Sequence, residues 1–283
     1  MPKVGLVLSG GFAKGAYQVG ALKALQEYIA HDQITCTSAS SVGALNAYAF
    51  LTGNIELIND IWLRFDFKNF KSFARKYISR SFTADIIKEI VGDGSSPPNN
   101  TYITCFNISK LELNYINLAD IKTSDVEPYL QASVTMPMLT HAINISGNRY
   151  VDGGLIDNVP VKPLANHKLD YSIVISFENN NWVFENEAID NRLIKINLSE
   201  DNFIKNSLSF DKESVAHMIK LGYTKTSAIL ADIFANGIDN CDMIQSKIKT
   251  YNAQNGNSKF RLTGDVIVGN INKLMKKIIS HKI

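Results

Sequence analysis

Hydrophobic positions in the first fifty residues alternate between short apolar runs and longer helical repeats. Val4–Leu8 is an uninterrupted apolar run, which is typical of a buried strand. Gly15–Ile29 carries apolar residues at helical spacing, Ile34–Ser38 is rich in strand-forming residues, and Val42–Leu51 is helical again. The order strand, turn, helix, strand, turn, helix predicts an α/β protein with a mostly parallel sheet.

Beyond residue 53 the pattern is more mixed. Gly92–Asn100, which reads GDGSSPPNN, is the clearest loop in the chain. The same periodicities predict helices at Glu56–Leu63, Thr83–Val91, Asp125–Ala132 and Asp211–Asn236, and strands at Tyr102–Ile108, Leu113–Ile116, Ala142–Ser146, Arg149–Val151, Tyr171–Phe177 and Arg192–Leu198.

Two further segments combine apolar and basic residues, and each has two open interpretations. Phe65–Tyr77 is aromatic and basic, so it is either a cover over a site or an ordinary helical layer. Val266–Lys282 has the pattern of a basic amphipathic helix, which suits either an anionic membrane surface or packing on the core.

Composition narrows the function classes. The chain has 45% hydrophobic and 20% charged residues, as ordinary globular proteins do. Its net charge of +2 is too small to favour a nucleic-acid partner. Three cysteines without metal-ligand spacing favour a reducing compartment. We see neither a signal peptide nor a transmembrane run, so we expect a cytoplasmic protein that meets membranes only at their surface.

The run Ala39-Ser40-Ser41-Val42-Gly43 connects a predicted strand to a predicted helix. A serine nucleophile needs such a sharp turn, because the turn exposes its hydroxyl and points a helix N-terminus at developing negative charge. The turn crowds the positions two before and two after the serine, and Ala39 and Gly43 are both small. Either Ser41 is a nucleophile, or the run is a turn without catalysis.

The run Ser9-Gly10-Gly11-Phe12-Ala13-Lys14-Gly15 also connects a strand to a helix. Consecutive glycines there can direct backbone N–H groups at an anion. A phosphate loop would require Lys after Gly15, and a dinucleotide turn would require glycine in place of Phe12; Ala16 and Phe12 exclude both. An oxyanion hole and a tight turn remain as interpretations.

A third turn, Asp152-Gly153-Gly154, follows the predicted strand Arg149–Val151. The two glycines leave the carboxylate without steric cover, so it can reach a serine hydroxyl and act as its general base. Taken alone, the aspartate is as easily explained as an ordinary turn residue.

Taken together and in this order, the glycine turn, the serine turn and the aspartate turn resemble the motifs of the patatin-like phospholipase family. The similarity extends from Lys3 to Phe177 and is more specific than any one motif. The segments that resemble the family's motifs are Leu6–Gly20, Ala39–Ala47, Ala132–Pro137 and Asp152–Val161.

The resemblance implies a three-layer α/β/α fold with a mostly parallel central sheet and a Ser–Asp dyad without histidine. Ser41 would be the acyl nucleophile and Asp152 the general base, while the backbone amides of Gly10, Gly11 and Phe12 would hold the oxyanion. The implied activity is hydrolysis of phospholipid or other acyl-ester lipids through an acyl-serine, without a metal or cofactor. We expect residues 1–200 to be the catalytic domain and 201–283 a helical extension packed on it.

Two departures from the family pattern bear on activity. Phe12 stands where the family usually has a third glycine, and Phe resists a positive φ. Ala39 stands where a glycine is usual before the serine. These departures keep two alternatives open: a catalytically weak lipid- or protein-binding module, and a soluble carboxylesterase.

Lys14 and the histidines are weaker candidates. Lys14 is either a contact for an anionic headgroup or a solvated side chain of the first helical turn. His167, His217 and His281 follow Asp152 in the order of a Ser–Asp–His hydrolase, yet none lies in a recognisable motif, and His31 and His141 precede it. We therefore expect all five to be structural or solvated, and the oligomeric state stays open.

Overall fold

The computed structural model has one mixed sheet as its centre. It describes residues 1–67, 69–92, 94, 97–137, 139–177, 181–184, 187–198, 210–254, 258–264 and 267–269. The strands are β1 (Val4–Leu8), β2 (Ile34–Ala39), β3 (Asn100–Asn107), β4 (Glu112–Asn117), β5 (Ile143–Ile145), β6 (Asn148–Asp152), β7 (Tyr171–Ser176), β8 (Asn181–Phe184), β9 (Leu193–Asn197) and β10 (Ser258–Arg261).

The order of the central sheet is β5-β6-β3-β2-β1-β7-β9, with β4 paired to β3. The pairs β1–β2, β1–β7, β2–β3 and β7–β9 are parallel, whereas β3–β4, β3–β6 and β5–β6 are antiparallel. The prediction of a mostly parallel central sheet is therefore confirmed, and the antiparallel strands lie on one side of it. A separate parallel pair is formed by β8 and β10.

Helices cover one face of this sheet. Alternate residues of the central strands, Leu6 and Leu8 of β1 and Ile173 and Ile175 of β7, enter a large apolar core that the helices share. The helices are α1 (Gly15–Gln26), α2 (Val42–Leu51), α3 (Ile55–Leu63), α4 (Phe70–Tyr77), α5 (Arg80–Val91), α6 (Thr123–Ser133), α7 (Glu187–Asp190), α8 (Lys212–Ile233) and α9 (Cys241–Gln254).

The other face of the sheet has a thinner cover. Val7 of β1 and Val174 of β7 pack there against the chain between Val159 and Leu169. That segment contains one short 3-10 helix, Lys162–Asn166. The third layer of the expected α/β/α sandwich is therefore built largely from loop and short helical turns.

The long helix α8 crosses α1 at very close range. A Cβ atom on Gly20 would collide with the backbone of Ile219 in α8, and one on Gly222 would collide with the backbone of Tyr17 in α1. Glycine at both positions lets the two backbones touch. Residues 212–233 thus pack directly on the helix that follows the glycine turn.

The periodicity located most elements, and four were not predicted. The helices α7 and α9 and the strands β8 and β10 are additions to the predicted pattern, whereas α4 lies within Phe65–Tyr77, for which a helical layer was one of the two interpretations. Because β10 is a strand, the segment 201–283 is not wholly helical. The predicted helix Val266–Lys282 lies, except for residues 267–269, outside the described residues. No helix within the described ranges combines the length and apolarity needed to cross a membrane.

Candidate active site

The ends of three strands meet at one edge of the sheet. Leu8, the last residue of β1, pairs with Ala39, the last residue of β2. Asp152, the last residue of β6, pairs with Cys105 of β3, two residues beyond the Ile103 partner of Ala39. The glycine turn, the serine turn and the aspartate turn predicted from the sequence therefore face a common space.

The serine turn has the strained geometry that the small residues suggested. Ser41 has φ 52° and ψ −133° and stands directly before α2. A Cβ atom on Gly43 would lie 2.6 Å from the carbonyl oxygen of Ser9, so only glycine allows this close approach. Ala39 is buried inside β2 without a positive φ, which shows that alanine causes no backbone strain there.

Asp152 and Ser41 are joined by a side-chain hydrogen bond. The other partner of the carboxylate is the backbone N–H of Gly154, which donates to Oδ1 at 2.8 Å. Asp152 is buried, and this burial outweighs both hydrogen bonds and raises the pKa of the carboxyl from 3.8 to about 7. The pair therefore consists of a serine and a carboxyl group that can hold or release a proton near neutral pH.

Asn158 is a site residue that sequence reasoning missed. Its side-chain Nδ2 donates to the carbonyl oxygen of Gly10 at 3.2 Å. Its backbone carbonyl oxygen accepts from the N–H of Gly10 at 3.3 Å. A Cβ atom on Gly10 would lie 2.8 Å from the Cβ of Ser41. The sequence signal was present, since Asn158 belongs to the DGGLIDNVPV block. However, Asn158 contacts the glycine turn at Gly10, which is 148 positions away in the sequence.

Gly10 differs from the expectation that it is an oxyanion donor. Its N–H already has the Asn158 carbonyl as an acceptor, and its lack of a side chain serves the close approach to Ser41. The N–H of Gly11 has no acceptor among the residues that the structure describes. Of the Gly10 and Gly11 amides, this leaves that of Gly11 as the donor to consider for an anion.

Phe12 adopts the left-handed conformation that its position in the motif suggested, with φ 53°. Its ring packs edge-on against two aromatic rings of α4, with centroid distances of 5.2 Å to Phe73 and 4.7 Å to Tyr77. The aromatic stretch Phe65–Tyr77 is thus a helical layer that touches the glycine turn. Its helix α4 begins at an N-cap, where the Asn69 Oδ1 accepts from the Ser72 N–H at 2.9 Å.

A cavity of about 560 Å³ opens in front of Ser41 and Asp152. Two leucines of its wall are strongly exposed, Leu139 at 61% and Leu155 at 77%. The polar groups in the wall are few, so the space suits an apolar ligand with a small polar centre. The residues that line it are Gly10, Gly11, Phe12, Ser41, Tyr77, Met136, Pro137, Leu139, Asp152, Gly154, Leu155 and Asn158.

The remaining sequence candidates lie outside this cavity. The Nζ atom of Lys14 lies 5.9 Å from the centroid of the Phe177 ring, and Lys14 does not line the cavity. None of the four histidines in the described ranges lines it either; for example, His167 makes a 3.2 Å hydrogen bond with the Tyr102 hydroxyl. His281 lies outside the described residues.

A second buried carboxylate, Asp157, supports the loop that carries Asn158. Its Oδ2 accepts from the Tyr115 hydroxyl at 2.7 Å, and its Oδ1 lies 3.8 Å from the Arg261 guanidinium. Burial raises the pKa of Asp157 to about 6 in spite of these partners. Asp157 therefore connects the aspartate turn to β4 and to β10 near the end of the described chain.

A serine at a strand-to-helix turn, hydrogen-bonded to a buried carboxyl and facing a lipid-sized apolar cavity, is an arrangement typical of serine-type ester hydrolases. The family model for patatin-like phospholipases matches residues 6–165, which is more than half of the chain. The chain belongs to the patatin-like phospholipase family. Membership in this family supports the assignment of the protein as a lipid hydrolase.

Individual relatives agree with this assignment. The lysophospholipase NTE1 of Cryptococcus neoformans var. neoformans is 29% identical over 189 residues, 61% of this chain and 11% of that protein. An uncharacterized protein of Acanthamoeba polyphaga mimivirus is 25% identical over 249 residues, 80% of this chain and 82% of that protein. This chain therefore spans about a tenth of the NTE1 enzyme and most of the viral protein.

Among solved structures, VipD from Legionella pneumophila has a similar fold. The TM-score is 0.51 at 17% sequence identity, over 82% of this chain and 67% of VipD. At this identity the similarity concerns the fold alone, and it agrees with the patatin-like α/β architecture that the sequence predicts.

Proposed function

We propose that this protein hydrolyses acyl esters of phospholipids with Ser41 as nucleophile and Asp152 as general base. The observation that carries the proposal is the hydrogen bond between the two side chains at the floor of the apolar cavity. Family membership supports the lipid substrate. The proposed pair does not include a histidine, and none of the four histidines in the described ranges lines the cavity.

The reaction proceeds in two halves. In the first, Asp152 takes the proton of the Ser41 hydroxyl while Oγ attacks the ester carbonyl, and the same proton passes to the departing alcohol oxygen. In the second, Asp152 takes a proton from water, whose oxygen attacks the acyl-serine, and the proton returns to Ser41 Oγ as the fatty acid leaves. Protons balance in each half without another titrating group.

The raised pKa of Asp152 suits both roles. A carboxyl with a pKa of about 7 is partly ionised at neutral pH, so it can accept the serine proton and then release it to the leaving oxygen. An ordinary aspartate would be too weak a base for the first step. Burial in the cavity floor is the physical cause of the shift.

The negative charge on the carbonyl oxygen needs donors, and we assign the N–H groups of Gly11 and Phe12 to this role. Both residues line the cavity beside Ser41. The two hydrogen bonds between Asn158 and Gly10 hold the turn in place beside them. Removal of one such donor typically costs about 10²- to 10³-fold in rate, so the position of this turn decides the activity.

The exposed leucines of the cavity wall support contact with a lipid surface. Leu139 and Leu155 are two of the most exposed large apolar residues in the described chain, and both line the cavity. Replacing both with glutamate should weaken co-sedimentation with phospholipid vesicles several-fold. Met243→Glu is the matched control, because Met243 is exposed but lies on α9, outside the cavity.

The proposal extends to the domain arrangement. We propose that residues 1–200 hold the catalytic machinery and that the following segment stabilises it through α8 on α1. Contacts between these helices at Gly20 and Gly222 support this view.

Fatty-acid release from phospholipid vesicles tests the function directly. We expect the wild type to release fatty acid and Ser41→Ala and Asp152→Asn to release none above background, with all three equally folded. Activity on soluble short-chain esters alone would favour a carboxylesterase. Vesicle binding without hydrolysis of either substrate would favour a lipid-binding module.

A further inference from the structure

Tyr77 is a buried aromatic residue in the wall of the Ser41 cavity that the proposed mechanism does not use. It is the last residue of α4 and is 4% exposed. Its ring is held by Phe12 and Phe73, at centroid distances of 4.7 and 5.5 Å. The position of its hydroxyl is therefore well defined by packing on both sides.

The hydroxyl of Tyr77 lacks a hydrogen-bond partner among the residues that the structure describes. Tyr171, which is equally buried, shows the usual situation, since its hydroxyl donates to the Ile238 carbonyl at 3.1 Å. A buried hydroxyl without a partner is costly and calls for an explanation. Because Tyr77 lines the cavity, a molecule that enters the cavity can supply the acceptor.

The chemistry of the cavity indicates what kind of molecule this is. Burial and the nearby charge of Asp152 raise the pKa of the Tyr77 hydroxyl above its ordinary value of 10. The hydroxyl therefore stays protonated and acts as a donor at neutral pH. A carboxylic ester has hydrogen-bond acceptors and no donors. The side chains of Ser41 and Asp152 are already hydrogen-bonded to each other. An ester oxygen is therefore the hydrogen-bond acceptor that the Tyr77 hydroxyl lacks.

We propose that Tyr77 is a further catalytic residue, whose hydroxyl donates a hydrogen bond to an oxygen of the substrate's ester group beside Ser41. This inference rests on the proposed function. Tyr77 also borders a second cleft of about 10 Å³, next to Thr83 and Gln131. That cleft is at the lower limit for one water molecule, so an ordered water is the competing partner, and activity measurements separate the two.

Tyr77→Phe removes the hydroxyl and leaves the ring in contact with Phe12 and Phe73. We expect kcat/KM to fall about tenfold on p-nitrophenyl butyrate and on dihexanoylphosphatidylcholine below its critical micelle concentration. The melting temperature should stay the same or rise, since no hydrogen bond within the protein is lost. Full kcat/KM on both esters would overturn the proposal, and so would a loss confined to the phospholipid, which would place the hydroxyl on the headgroup.

Tyr171→Phe is the matched control. It removes a hydroxyl that is bonded inside the protein and lies outside the cavity, so the melting temperature should fall while kcat/KM is kept. A fall in the melting temperature of Tyr77→Phe as large as that of Tyr171→Phe would contradict the proposal, because it would show that the Tyr77 hydroxyl has a partner within the protein.

A binding measurement separates this inference from the proposed function. Ser41→Ala cannot form the acyl-serine, so its affinity for dihexanoylphosphatidylcholine can be measured by calorimetry without turnover. We expect Ser41→Ala with Tyr77→Phe to bind this ester several-fold more weakly than Ser41→Ala alone. Equal affinities would count against the donor role of Tyr77. If the double variant binds more weakly but the wild type hydrolyses no ester, the result counts against the proposed hydrolase function alone.

Discussion

The turns that follow β1 and β2 lie side by side, and both force a residue other than glycine into the left-handed region. Phe12 has φ 53° in the first turn, and Ser41 has φ 52° in the second. Each such conformation costs about 1–2 kcal/mol for a residue with a side chain. The turns differ in what holds the strained residue in place.

Ser41 is held by the backbone around it. The N–H of Ser40 donates to the Leu8 carbonyl at 3.0 Å, the N–H of Ala44 donates to the Ser41 carbonyl at 2.8 Å, and Gly43 lies against the Ser9 carbonyl. Phe12 is held instead by its ring, which packs on Phe73 and Tyr77. The comparison teaches that the same backbone strain is held by backbone contacts in one turn and by ring packing on α4 in the other.

The largest expected effect comes from Ser41. Ser41→Ala should lower ester hydrolysis by about 10⁶-fold, because the nucleophile is removed. Ser41→Gly should be as inactive but about 1 kcal/mol more stable than Ser41→Ala, because glycine accepts the positive φ. Steady-state hydrolysis and urea unfolding check the two parts. Equal stabilities of the two variants would show that the turn is not strained.

Asp152→Asn should lower the rate by about 10⁴-fold, as loss of the acid does in serine hydrolases. In the wild type, kcat should rise with pH through about 7, since Asp152 must be ionised to accept the serine proton. A pH–rate profile without an ionisation near 7 would contradict this role.

The same carboxyl predicts an effect on stability. The pKa of Asp152 is raised on folding, so the folded state keeps a proton that the unfolded state loses near pH 4. Its contribution to stability is therefore full below pH 4 and declines as the pH rises to about 7. Asp152→Asn should abolish this decline and raise the melting temperature at pH 8, measured against wild type by scanning calorimetry. Asp157 contributes a decline of the same sign in both proteins.

Gly43→Ala tests how the backbone holds Ser41. The added Cβ would lie 2.6 Å from the Ser9 carbonyl oxygen and 2.8 Å from that of Leu8, so the turn must move. A displacement of about 1 Å costs about 10²-fold in rate, and we expect a loss of this size. Gly269→Ala is the control, because nothing lies within 4 Å of its added Cβ. Unchanged kcat in Gly43→Ala would show that the turn tolerates movement.

The smallest effect is expected at Phe12, where the predicted change is one of stability. Phe12→Ala loses the ring contacts and keeps the strain, whereas Phe12→Gly loses both. We expect each variant to be less stable than wild type by about 2 kcal/mol, with glycine about 1 kcal/mol more stable than alanine. Urea unfolding measures this order. If the alanine variant is as stable as the glycine variant, position 12 is not strained in the way that position 41 is.

Local patterns allowed much of the fold and site to be predicted. The apolar run of β1, the helix Val42–Leu51 and the three small-residue turns depend on residues close in sequence, and the structure has them where they were expected. The pairing of β8 with β10 and the contact of Asn158 with Gly10 depend on distant segments. No periodicity reports such contacts.

The two departures from the family motif illustrate the same limit. From the sequence alone, both Phe12 and Ala39 were candidate sources of strain, with alanine the milder replacement. The backbone separates them, since Ala39 lies in an ordinary strand and Phe12 has a positive φ. The compensating partners of Phe12 lie on α4, within the Phe65–Tyr77 stretch, and no local pattern shows that this stretch packs on the glycine turn. Tyr77 was overlooked for the same reason.

The measurement that tests the central claim most directly is covalent labelling with a fluorophosphonate probe, followed by mass spectrometry of the modified peptide. The claim predicts one adduct on Ser41 in the wild type, strongly reduced labelling in Asp152→Asn and none in Ser41→Ala. An adduct on another residue, or equal labelling of wild type and Asp152→Asn, would contradict the assignment of Ser41 and Asp152 as the reacting pair.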